Sequence, residues 1–299
     1  MLIIANHMKL ILVLLLTLFA ACNQAPPTLA TTVKPESVAE QNLTDSLILT
    51  LIFGKAERTV PKNDFERRNG HFFATVALDS AQFSPKHWEA YDRRGSTEYF
   101  VELKEEITED SIEKVLVVLC AEGTSCHACP GLCGAAIFSK TKDQWKLEAW
   151  ENDIAVIGTT GYPVDQVDVR YVKEGAFAII LKRGSIWQGV SFRGMDMVLY
   201  EKGTFKEVLE DNICFSCDNW ANAENDYPHN LIQGAFSYTS SLEFQPGKSE
   251  YQDLVLFYQG TIPNKKTRKP EFLDKAVRFA YRNGMYVVIK EEIPEAYPN

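Results

Sequence analysis

Downstream of residue 45 the chain alternates short runs of β-branched and aromatic residues with clusters of turn residues, and long helical periods are few. The runs EYFVEL, KVLVVLC, GAAIFSK, WKLEAW, VDVRYV, AFAIILKR, MDMVLYEKG, TFKEVLE, AFSYTSSLEF, DLVLFYQG, VRFAYRNG and MYVVIKE each fit a strand. Three pairs of runs read as hairpins: FSKTKDQWKLE, VLYEKGTFKEVL and FAYRNGMYVVI. The last carries Asn283-Gly284, a pair suited to the positive φ angles of a two-residue turn. A helix is expected around Pro85 to Tyr91, with Ser84 as its cap and Pro85 at its first position.

Strands joined by tight turns, without long intervening helices, predict a mainly β fold of antiparallel sheets. A sandwich, a barrel and propeller-like hairpins all remain open, with at most one or two short helices. Residues 46–299 are expected to form a single domain, with a possible seam near Gly95. Tyr- and Phe-rich hairpins recur loosely from Phe138 to Ile289, but at no firm period.

The start of the chain breaks this pattern. MKLILVLLLTLFAAC presents Lys9, an uncharged and almost wholly apolar run from Leu10 to Ala21, and then Cys22, which is the plan of an export signal. The run is shorter than the roughly 20 apolar residues that a spanning helix needs. Met8 suits a translation start, because Lys9 then forms the positive n-region. The residues Phe19-Ala20-Ala21-Cys22 resemble the lipobox of bacterial lipoproteins. That resemblance implies a signal peptide over 1–21, diacylglycerol on the Cys22 thiol and acylation of the new amino group. Phe19 stands where the family usually has Leu, which keeps cleavage after Ala21 by an ordinary signal peptidase as the alternative. Acyl chains at about 0.8 kcal/mol per buried methylene would hold the protein on a membrane. Asn23, by likeness to the enterobacterial sorting rule, points to the outer membrane if the envelope is Gram-negative. Residues 22–45, rich in proline and small polar residues and free of aromatics, read as an acylated cysteine with a flexible tether.

Charge removes one class of partner. The chain carries 31 Lys and Arg against 40 Asp and Glu, a formal net of −9, and loss of the signal with Lys9 makes this one unit more negative. Its basic cluster NKKTRK, Asn264 to Lys269, reads as a solvated loop, so nucleic acid is not expected as a partner. A protein, a glycan or a small ligand is expected instead.

Beyond Cys22 the chain has Cys120, Cys126, Cys129, Cys133, Cys214 and Cys217, an even number in an exported chain, which reads first as disulfides. Cys120 ends one strand run and Cys133 precedes the next, so a hairpin would bring their sulfurs together at the mouth of its loop. CHAC at Cys126/Cys129 and CFSC at Cys214/Cys217 form two CxxC pairs with three physical readings. They can be staples, closing their own loops or bridging between them. As two turns they could offer four thiolates to a tetrahedral zinc ion. They could also exchange electrons with a partner thiol. An oxidising compartment favours staples and no cofactor, with zinc at the CxxC pairs as the alternative. His127 inside CHAC is like the histidine of thiol oxidoreductases, but the βαβ context of those enzymes is missing. Pro130 and Asp218 follow the pairs where c-type haem attachment would need histidine.

The loop CDNWANAENDYPHN, Cys217 to Asn230, gathers oxygen ligands, of which Asp218, Glu224 and Asp226 are candidates for calcium. Trp220 and Tyr227 in the same loop are candidates for an aromatic contact surface. Asp165 and Asp168, three apart on a strand edge, point to opposite sides and so do not make a shared acid–base pair. His71, His87, His127 and His229 are read as ordinary surface or loop residues. No GxSxG, HExxH, Walker or strand-linked GxGxxG motif occurs. The favoured reading is therefore an envelope lipoprotein with a disulfide-braced β domain that binds or supports rather than catalyses. Its alternatives are a thiol-redox or metal-handling protein using the CxxC pairs, and a hydrolase with a carboxylate site.

Overall fold

A computed structural model of the chain describes residues 38–39, 42–58, 71–77, 87, 95–109, 112–123, 129–158, 164–187, 190–209, 213–219, 236–264, 266–267 and 269–290. The described part is mainly β, with one helix, α1 (Asp45–Phe53), and sixteen strands. The strands are β1 (Val38–Ala39), β2 (Glu57–Arg58), β3 (Phe72–Ala77), β4 (Ser96–Glu109), β5 (Ile112–Ala121), β6 (Gly131–Thr141), β7 (Gln144–Ile157) and β8 (Gln166–Lys173). They continue as β9 (Ala176–Trp187), β10 (Val190–Glu201), β11 (Thr204–Glu207), β12 (Ile213–Asp218), β13 (Ser237–Gln245), β14 (Asp253–Pro263), β15 (Pro270–Arg282) and β16 (Met285–Lys290).

Two antiparallel sheets result. The first runs β1-β7-β6-β5-β4-β3-β2 and the second β16-β15-β14-β13-β12-β10-β9-β8, with β11 paired to β10. All three expected hairpins form, and their turns take positive φ at Lys142 and Asp143, at Lys202 and Gly203, and at Asn283 and Gly284. The strands on either side of Gly95, β3 and β4, pair within one sheet from Phe73↔Phe100 to Ala77↔Ser96. Within the stretch read as tether, Val38 and Ala39 pair with Trp145 and Gln144. Of the helix expected around Pro85 to Tyr91, only His87 is described.

Side-chain alternation explains the layering. In β5, Val117, Leu119 and Ala121 face one core while Leu116, Val118 and Cys120 face another. The first core is covered by α1 through Leu47, Ile48, Leu49, Leu51 and Ile52. Thr44 caps this helix by accepting from the Leu47 N–H, and Gly54 closes it in the left-handed conformation at φ 73°. The second core joins the two sheets, since Phe177, Ile179 and Leu181 of β9 and Val198 and Tyr200 of β10 pack there with β5 and β6. Burial on both faces is why these central strands read as continuous apolar runs rather than alternating ones.

The far side of the second sheet holds a third core. Its strands curl into a half-barrel, and the Tyr286 N–H donating to the Val208 carbonyl oxygen at 2.6 Å, beside the parallel bridge Leu209↔Tyr286, ties β16 to the segment after β11. Leu254, Leu256, Tyr258, Val277, Phe279 and Tyr286 fill this interior. No helix of the described residues is long and apolar enough to cross a membrane.

Candidate functional site

The β5–β6 hairpin sets Cys120 directly opposite Cys133. Their sulfurs are 3.3 Å apart, and both residues are fully buried in the core between the sheets. Burial, reinforced by the Cys133 thiol and the charge of Glu102, pushes the Cys120 thiol well above its ordinary range. The hairpin expectation for this pair is therefore met in position. The pair exists as two free thiols, so an existing bridge is not what holds it. Cys129, in the loop between these strands, is disulfide-bonded. Cys126 and His127 lie outside the described residues.

CFSC departs from the turn that the CxxC spacing suggests, because it lies within β12. On a regular strand Cys214 and Cys217 would face opposite sides. The pairing with β10 runs Arg193↔Ser216 and then Gly194↔Cys214, which leaves Phe215 as the extra residue of a bulge. That inserted residue restores a common side, and both cysteines are buried in the half-barrel core, at 3% and 1% exposure, as thiols rather than as a disulfide.

Two tyrosines complete this pocket of polar atoms. Tyr238 stands opposite Cys217 on β13, and the Tyr258 hydroxyl donates to the Cys214 carbonyl oxygen at 3.0 Å. The rings of Tyr238 and Tyr258 meet edge to face at 5.9 Å. Gly260, at φ 139°, is required beside them, because a Cβ there would collide with the Ser237 carbonyl oxygen. The Cys214 thiol donates to the Ser216 carbonyl oxygen at 3.2 Å. Bonds from Cys217 and Tyr238 draw Cys214 below its ordinary range against the opposition of burial. The bond with Cys214, then burial and the charge of Asp218, hold Cys217 far up. Of the two thiols, Cys214 is thus the easier to ionise.

The two pairs do not combine into one centre. Cys120 and Cys133 belong to the core between the sheets, whereas Cys214 and Cys217 belong to the half-barrel core. Among the described residues no three His, Cys, Asp or Glu side chains are grouped to hold a metal ion. Of the calcium candidates only Asp218, at the end of β12, is described; Glu224, Asp226, Trp220 and Tyr227 lie outside the described residues. Asp168 pairs with Lys182 at 3.0 Å, and Asp165 lies 4.0 Å from Arg193, so each carboxylate has its own cation. The basic segment after β14 is exposed at Lys266, Thr267 and Lys269, and Asn264 accepts from the Lys266 and Thr267 N–H groups to form its turn.

One cluster escaped the sequence reading. His87 Nδ1 meets Asp153 Oδ2 at 3.2 Å, with both side chains largely buried. Asp153 sits in an insertion of β7, where Asn152 to Ile154 stand opposite the single residue Gly134. Burial and then Asp153 push the neighbouring Glu151 carboxyl up to about 7. By surface area Glu151 remains exposed, so solvent trims that push. Burial opposes protonation of His87, but its bonds with Asp153 outweigh burial and raise it. A signal was available in ENDIAVI, where an acidic residue interrupts the approach to an apolar run.

Comparison with family models, with curated proteins and with solved structures finds no match to this chain.

Proposed function

We propose that the chain is a lipid-anchored envelope protein whose β domain binds or supports a partner, with its interior cysteine pairs serving as structural staples. The observation that carries the non-catalytic part is the enclosure of Cys120, Cys133, Cys214 and Cys217 at 0–3% exposure in two cores. Exchange with a partner needs a sulfur that another sulfur can approach. Such burial suits cross-linking within the fold better than traffic with other molecules. The address rests on Lys9, the apolar run and the Phe19-Ala20-Ala21-Cys22 motif. The partner's class stays at protein, glycan or small ligand.

Fractionation of cells making the wild-type chain and Cys22→Ala tests the anchor. Wild type is expected in the membrane fraction, released by detergent but not by salt, and the variant is expected to lose that behaviour. Equal partitioning of the two would overturn the lipid anchor.

A second reading, a thiol-redox protein, is favoured by one observation: the hydrogen bonds of Cys217 and Tyr238 that ease ionisation of Cys214. Rapid alkylation of Cys214 in the folded protein by iodoacetamide would support it. Alkylation only on unfolding would leave the staple reading in place.

A further inference from the structure

We propose that Cys120 and Cys133 join as a cross-strand disulfide that is made before the two sheets close over it. The proposal rests on the envelope reading only for the supply of an oxidant.

The pairing follows from register. Residues directly opposite one another in an antiparallel ladder have Cα atoms about 4.5–5.5 Å apart, within the span of roughly 4.4–6.8 Å that a disulfide bridges. Cys120 and Cys133 are such a pair, and their sulfurs at 3.3 Å need only side-chain rotation to bond. Competing partners are absent among the described cysteines: Cys214 and Cys217 face the half-barrel core, and Cys129 is already bonded. In closing, two S–H bonds break and one S–S bond forms. Two electrons and two protons pass to the disulfide of a protein oxidant, which leaves as a dithiol.

The timing follows from burial. Thiol–disulfide exchange passes through a mixed disulfide, so the oxidant must reach one of the two sulfurs. Both residues have no exposure, and the core that covers them is completed by Phe177, Ile179 and Leu181 of β9 and Val198 and Tyr200 of β10. Once that sheet is docked, neither an oxidant nor a reductant has a path. The β5–β6 hairpin, by contrast, spans a separation of 13 residues between the two cysteines and can form ahead of the distant strands. Exchange is open in that interval and shut afterwards.

The full chain is isolated from membranes with thiols blocked at lysis, then digested without reduction. Peptides of Cys120 and Cys133 are expected to be linked to each other; alkylated thiols there, or links to other cysteines, would overturn the pairing. The timing is read from the reduction of this bond by dithiothreitol in buffer and in urea just below the unfolding transition. Reduction is expected to be at least about tenfold faster in urea, because it waits on opening of the core. Equal rates would overturn the timing. A refolded, reduced chain given glutathione disulfide supplies the reverse direction, with the same ratio expected. An unacylated chain that still carries the linked pair would sink the anchor and leave this inference standing; an acylated chain with both thiols free would do the opposite.

Discussion

Trp150 lies so close to Gly134 that a Cβ on the glycine would stand 2.7 Å from the ring Cη2 and 2.9 Å from the Glu151 carbonyl oxygen. This contact sets the ring where Phe53 of α1 meets it edge on at 5.4 Å, and where Tyr99 lies 6.2 Å away. The Tyr99 hydroxyl in turn donates to the Asn152 carbonyl oxygen at 2.9 Å, holding the β7 insertion. Gly134→Ala is therefore expected to destabilise the domain by about 1–3 kcal/mol through overpacking. Urea unfolding followed by tryptophan fluorescence checks this, with a changed native emission expected as Trp150 shifts. An unchanged midpoint would mean that the contact relaxes freely.

Lys114 is expected to matter more than a surface lysine. It lies 2.7 Å from Glu109 and 2.6 Å from Glu148, largely buried, while the Tyr200 hydroxyl donates to Glu109 across the sheet interface at 3.3 Å. Lys114→Met leaves two carboxylates without their cation and is expected to cost about 3 kcal/mol at neutral pH. Burial opposes ionisation of Glu148, but Lys114 and Ser139 hold its carboxyl below the ordinary range. Its contribution is thus present above the unfolded value and lost as pH falls through the lowered folded value. In denaturation series the gap between variant and wild type is expected to narrow below about pH 4.5. A gap independent of pH would count against the ion-pair account.

The His87, Asp153 and Glu151 cluster predicts the opposite slope. Glu151 is raised by burial and Asp153 to about 7, so the folded state keeps a proton that the unfolded state gives up. His87 is raised against burial by Asp153, with a further push from Glu207. Both groups contribute stability at low pH that is lost as pH rises through their folded values. Melting temperature is expected to fall from pH 5 to pH 8, and to fall less in Glu151→Gln. Parallel curves for the two proteins would contradict this.

The proposed Cys120–Cys133 bridge makes a stability prediction of its own. Replacing both residues with alanine removes a cross-link over a short loop, which is expected to cost about 3 kcal/mol. Reductant present throughout unfolding should bring wild type close to the variant, because only wild type has the Cys120–Cys133 cross-link to lose, whereas the bond of Cys129 opens in both. A variant as stable as oxidised wild type would indicate that the thiols never bond.

The strand-and-turn content was legible because it depends on near neighbours. Asn283-Gly284 and Lys202-Gly203 state their turns locally, and KVLVVLC and AFAIILKR announce strands that are buried on both faces. Helix α1 was harder to read. DSLILTLIF is apolar nearly all round, so it has no clear amphipathic period, and its caps Thr44 and Gly54 went unread. The strand holding CFSC was hidden for a different reason. The common side of Cys214 and Cys217 depends on Phe215 being skipped by Arg193 and Gly194, a fact of pairing rather than of spacing. The His87–Asp153 contact joins residues 66 positions apart, so ENDIAVI marks its acidic side but nothing local names the histidine that meets it.

Peptide mass spectrometry of the protein taken from its membrane, with thiols blocked and without reduction, reads the proposed lipid anchor and the proposed Cys120–Cys133 staple in one sample. The expected result is an amino-terminal peptide that begins at Cys22 and carries acyl mass, together with Cys120 linked to Cys133. An unmodified amino terminus at Cys22 together with blocked, unbonded thiols at Cys120 and Cys133 would contradict it.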